Sequence, residues 1–107
     1  MAVDPLGDIS SVLVPVDGSD GSDNALAIMC DVAHIKRAKI TILYVIEVPR
    51  SLPLEADLEP EVVRGENILM RAEELADSHN VQVSTALVQA RQAGQALVDE
   101  ALELSVD

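Results

Sequence analysis

Residues 11–17 read SVLVPVD, and GSDGSD follows at 18–23. The first stretch is a β-branched apolar run without polar alternation. That is the pattern of a strand buried on both faces, as in a parallel sheet. Pro15 cannot donate to a ladder, but it stands near the end of the run, where a lost hydrogen bond matters least. The second stretch is a glycine-punctuated turn. Ser22 is the expected N-cap of a following helix, and Asp23 falls in its first turn, where a negative charge suits the helix dipole. Strand, glycine turn and helix in this order set the fold class.

Downstream the pattern repeats. Leu26, Met29, Cys30 and Ala33 recur at i, i+3, i+4 and i+7, one apolar stripe of a helix over about 23–35. It ends at the basic turn of Lys36, Arg37 and Lys39, where cations suit a helix C-terminus. ITILYVI at 40–46 is a second buried strand, and EVPRSLPLEADLEP at 47–60 reads as a long loop, a length often given to a functional flap. A second helix is expected over 61–79, with Val62, Leu69, Ala72 and Ala76 on its stripe, joined by Ile68 and Leu75, and Gly65 as a local weakness. VQVSTALVQ at 81–89 is a third strand. Residues 94–105 form a third helix through Leu97, Ala101 and Leu104. With right-handed crossovers this order gives an α/β fold: an open, Rossmann-like parallel sheet with helices on both faces. The chain stops straight after a helix, at Ser105-Val106-Asp107, so residues 1–107 are expected to be an incomplete domain of about three strands and three helices.

Composition narrows the function. The chain has 107 residues, 7 Lys plus Arg against 19 Asp plus Glu, and a net charge of −12. Such a chain makes a poor nucleic-acid binder, because affinity for phosphate backbones comes from clustered cations. With one Tyr, no Phe and no Trp it also lacks base-stacking platforms. A single cysteine, Cys30, excludes an intrachain disulfide and a Cys-rich metal site. The start, MAVDPLGDISS, lacks the basic and apolar regions of a signal peptide, and no apolar run reaches the roughly 20 residues of a membrane span. The expectation is a cytoplasmic domain with no membrane insertion.

In open α/β sheets, ligands bind beyond the carboxyl ends of the strands, and three segments point there. Asp17-Gly18-Ser19-Asp20-Gly21-Ser22 is either an ordinary capped turn or a place where backbone amides approach a ligand. It has no Lys at Walker A spacing, and an acid at Asp17 suits ribose hydroxyls or an adenine amine better than phosphate. Tyr44-Val45-Ile46 is either a plain core strand or a backbone edge that reads adenine. Gln89-Ala90-Arg91-Gln92 brings the one cation at this edge, Arg91, which either pairs with a phosphate or is solvated. Elsewhere the structural readings win. Cys30 reads as a small buried hydrophobe. His34 and His79 read as surface or capping residues without a metal or dyad spacing, and Ser19 and Ser22 as turn residues without a His base. Glu55, Asp57, Glu59 and Glu61 read as a solvated segment rather than a cation site. No catalytic or metal-ligating set is expected.

VLVPVDGSDGSDNAL at 12–26, ITILYVIEVP at 40–49 and ALVQARQAGQALVDEALELSVD at 86–107 together resemble a universal stress protein domain. The resemblance covers almost the whole chain, and its first block is the most specific. It implies the adenine-nucleotide α-hydrolase-like fold, five parallel strands in the order 3-2-1-4-5, and a regulatory domain in stress response that binds ATP or another adenine nucleotide, with slow ATP hydrolysis at most. It also implies a homodimer or other self-association. By position, Asp17 matches the acid that contacts nucleotide and Val45 the residue whose main chain holds adenine. Pro15, Val16 and Gly18 line the same edge. Two departures stand out. Arg91-Gln92-Ala93 replaces the family's Gly-x-Pro turn, and the phosphate-cradling Gly-x-x-Gly…Gly-Ser/Thr run would begin at the end of a fourth strand, where this sequence stops. Without that strand SVLVPV is expected to be an exposed apolar edge. The alternative function is an interaction or dimerisation module without nucleotide, regulating a partner such as a transporter. A flavodoxin-like receiver is a weaker third reading, because Tyr44-Val45 supplies no second acid.

Overall fold

The computed structural model describes residues 11–104. Six elements alternate: β1 (Ser11–Pro15), α1 (Asp20–Lys36), β2 (Lys39–Glu47), α2 (Glu59–Ser78), β3 (Val83–Ala90) and α3 (Ala93–Leu104). Expectations for residues 1–10, for the Leu104 side chain and for Ser105-Val106-Asp107 lie outside the described residues. The three strands pair in parallel in the order β1-β2-β3, with Val14 opposite Ile42 and Tyr44 opposite Leu87. The sheet order is the 3-2-1 part of the order implied by the resemblance. Among the described residues β1 and β3 are the two edges. Pro15 is the last residue of β1, where a missing N–H costs the ladder least.

Side chains alternate across a strand, so the sheet has two distinct faces. One carries Val14, Val16, Ile40 and Ile42, buried with Leu26, Cys30 and Ala33 of α1 and with Leu69, Ala72 and Ala76 of α2. Leu26, Ile40 and Ile42 are fully buried, and full burial of such a side chain stabilises by about 1.5–3 kcal/mol. The other face carries Leu43 and lies beneath α3, whose Ala96 is buried. Helices thus cover both faces of the sheet.

Local chemistry moves several boundaries. Ser19, not Ser22, caps α1. Its backbone is extended and its Oγ accepts the Ser22 amide at 3.1 Å, so the helix starts at Asp20. At the other end Arg37 takes a left-handed conformation at φ 57°, and the Ala38 amide donates back to the Ala33 carbonyl at 3.0 Å. α2 begins at Glu59, before Pro60, because proline suits a first helical turn. β3 begins at Val83, since the Val81 amide is drawn back to the Ala76 carbonyl at the end of α2.

Gly65 is more than a weak point in α2. A Cβ there would lie 2.6 Å from Tyr44 Cδ1 and 2.8 Å from Leu87 Cδ1. The absent side chain is what lets α2 settle on the sheet. His79 also gains a partner that its sequence neighbours do not reveal. Its Nδ1 donates to Asp31 Oδ1 at 2.9 Å and links the end of α2 to α1.

Candidate functional site

The site grows from the turn after β1. The last β1–β2 hydrogen bond runs from the Val16 amide to the Leu43 carbonyl at 2.9 Å, after which the chain leaves the sheet. Asp17 then closes a tight local network. Its Oδ1 accepts the Ser19 amide at 2.9 Å, and its own amide donates to Ser22 Oγ at 3.2 Å. Hydrogen bonds from Ser19 to the carboxylate hold the Asp17 carboxyl below its ordinary range. Asp17 is exposed and therefore ionised at neutral pH, with lone pairs left to accept from a ligand.

β2 continues past this exit. Leu43 directs its backbone polar groups toward β1, so Val45, two residues on, directs its amide and carbonyl to the same side. The registered β1–β2 pairs end at Pro15 and Leu43, which leaves Val45 facing the space beyond the end of β1. Pro15, Val16, Asp17 and Val45 all line one cavity of about 430 Å³, closed on its far side by Ala93, Gly94 and Leu97 of α3. Glu47 lines it too, with Oε1 3.4 Å from the Ala93 amide at the start of α3. Among the described residues two carboxylates and no Lys or Arg line this cavity. Its chemistry suits hydroxyl and amine donors, with Val45 offering a backbone donor and acceptor.

Two of the six candidate residues lie elsewhere. Gly18, at φ 87°, lines a cavity on the α2 side, and a Cβ there would meet Ile68 Cδ1 at 2.9 Å. Its conformation and this packing account for the glycine. Arg91 lines a third cavity, and its NH1 donates to the Pro49 carbonyl at 2.6 Å and the Val48 carbonyl at 3.3 Å. Gln89 donates from Nε2 to the carbonyls of Leu54 and Ala56. The long connection between β2 and α2 is therefore strapped down by the end of β3. Sequence reasoning missed Glu47 and the start of α3, although Glu47 ends a strand on the expected edge. Among the described residues no three His, Cys, Asp or Glu side chains group as a metal would require.

The profile of the Universal stress protein family matches residues 9–107. The chain belongs to the universal stress protein family. No curated protein matches it. Solved universal stress proteins share its fold. One, crystallised in complex with cAMP, is 24% identical with a TM-score of 0.76, over 92% of this chain and 68% of that one. The universal stress protein from Archaeoglobus fulgidus in complex with dAMP is 14% identical with a TM-score of 0.74, over 94% and 77%. A family protein from Burkholderia pseudomallei is 20% identical with a TM-score of 0.70, over 97% and 80%. At these identities the likeness carries the fold of this universal stress protein domain and no more. None of its described helices is long and apolar enough to cross a membrane.

Proposed function

We propose that this universal stress protein domain binds an adenine nucleotide, ATP among them, as a regulatory signal in the stress response, and that it is not an enzyme beyond slow ATP hydrolysis. The reading rests on one observation: Asp17 and Val45 line the same cavity, with the main chain of Val45 turned past the end of β1. Adenine takes the Val45 amide and carbonyl, and the Asp17 carboxylate accepts from the ribose hydroxyls. Pro15 and Val16 form the apolar wall. Gly18 shapes the turn, and Arg91 holds the connection after β2 through the Val48 and Pro49 carbonyls. The acidic lining directs the phosphates away from Asp17 and Glu47. The ligands of the cAMP- and dAMP-bound family structures favour the adenine class. The domain is assigned to the cytoplasm and to a homodimer or other self-associated state.

Calorimetric titration with adenosine, AMP, cAMP and ATP tests this, alongside Asp17→Ala. Saturable binding that the variant weakens about tenfold or more, the value of one charge-assisted hydrogen bond, is expected. Silence at millimolar concentration of all four ligands, or equal affinity in the variant, overturns it. The carboxylate lining also favours a second reading, an interaction module that takes no nucleotide, and silence in every titration is its signature.

A further inference from the structure

A further cavity lies away from the Asp17 cavity. It measures about 770 Å³ and runs between α2 and the outer edge of β3. Four carboxylates rim it on the α2 side: Glu66, Glu73, Glu74 and Asp77. Among the described residues no Lys or Arg lines it. The arginines of α2 face elsewhere, since Arg64 and Arg71 line the cavity beside Gly18, where Arg71 lies 3.9 Å from Asp23. The helix therefore sorts its charges, and among the described residues no cation lines its β3 side. Apolar surface accompanies the acids. Leu69, Val81 and Val83 line the groove, and Met70 stands 59% exposed at its margin.

The strand beside this groove is undefended. Natural sheet edges are protected by Lys, Pro, bulges or inward charges. β3 reads VSTALVQA, without a charge, a proline or a glycine. Among the described residues no strand pairs with its outer side, and Ser84 and Thr85 are exposed. A bare row of backbone donors and acceptors thus lies alongside an acidic, partly apolar wall.

We propose that the outer edge of β3 is a docking site for an extended basic segment of a partner protein, which adds a strand to the sheet and sets alternate Lys or Arg side chains against Glu66, Glu73, Glu74 and Asp77. The dimensions agree. Glu66 to Asp77 spans about 16 Å of helix at 1.5 Å per residue, which roughly five residues of strand cover at 3.3 Å each. Side chains at i, i+2 and i+4 then face α2, while backbone bonds to β3 supply sequence-independent affinity. A second copy of this chain is the poorer occupant, because the exposed strand it could offer, SVLVP, brings no Lys or Arg to these four carboxylates.

The test uses the intact chain, labelled with 15N, and the synthetic peptide acetyl-KVKVKVK-amide. Amide shifts are expected at 83–86 and along 66–77. The triple variant Glu73→Gln/Glu74→Gln/Asp77→Asn should weaken binding about tenfold, as three ion pairs of ordinary strength would. An equal charge change placed elsewhere, Glu55→Gln/Asp57→Asn/Glu103→Gln, should weaken it less than about twofold, since distant exposed charges are screened. The peptide acetyl-KPKPKPK-amide, of equal charge but poor in strand-forming N–H groups, should bind at least about tenfold more weakly. The spectra of both variants report whether they remain folded. Equal weakening by the two triple variants, equal binding of the proline peptide, or shifts confined to other surfaces would each overturn the proposal.

Discussion

The carboxylate of Asp17 accepts the backbone amide of Ser19 at 2.9 Å, across the one glycine that separates them. This bond prefers the ionised acid, so the folded state holds the Asp17 carboxyl below its ordinary range, the Ser19 hydroxyl and amide being the causes. A depressed folded value means that the contribution to stability is fully present above about pH 4 and is lost as pH falls through the folded value. NMR titration of the Asp17 side chain should give a midpoint below that of an unfolded aspartate. Ser19→Ala should move that midpoint up. An unchanged midpoint in the variant would remove Ser19 as the cause.

Gly65→Ala should destabilise the protein even though alanine is the better helix former. The gain in propensity is about 1 kcal/mol, whereas forcing a methyl group against Tyr44 and Leu87 costs about 1–3 kcal/mol. Thermal melting should show the loss. In a Tyr44→Ala background most of the penalty should vanish, and a penalty of equal size there would locate the clash elsewhere.

Arg37→Gly should stabilise. A non-glycine residue in the left-handed region costs about 1–2 kcal/mol, and Arg37 occupies it at φ 57°. For a domain of this size a gain of about 1 kcal/mol raises the melting temperature by roughly 4–8 °C. A lower melting temperature would mean that the arginine side chain contributes more than its backbone costs.

Cys30 should be unreactive while the fold is intact. It is fully buried between α1 and the sheet, and burial, helped by the neighbouring Asp31 charge, pushes its thiol up from the ordinary value. Labelling by an aromatic disulfide at neutral pH should keep pace with unfolding as urea is added. Rapid labelling in the absence of urea would show that α1 lifts from the sheet by itself.

The order of elements is legible in SVLVPV and ITILYVI, because a strand buried on both faces has no polar alternation to disguise it. The stripe of Leu69, Ala72 and Ala76 likewise announces the buried face of α2. What is not legible depends on partners distant in sequence. Gly65 looks like a defect until Tyr44 is seen beneath it, and His79 looks idle until Asp31 stands opposite. Ser19 and Ser22 are equally good caps by type, and only the extended backbone at Ser19 decides between them. For the candidate site, the strand-end rule locates Asp17 and Val45 together. It does not say which face of the sheet each flanking residue serves, so Gly18 falls on the α2 side and Arg91 turns to the connection it straps.

Tyr44 has a spectroscopic consequence. It is the single aromatic residue of the chain, and with no Trp to take up its excitation it emits on its own account. Its ring lies where the missing side chain of Gly65 admits it. The ultraviolet emission of this protein therefore has one origin and reports one event, the seating of α2 upon the sheet. Refolding of that helix can be followed in the natural sequence without attaching a dye.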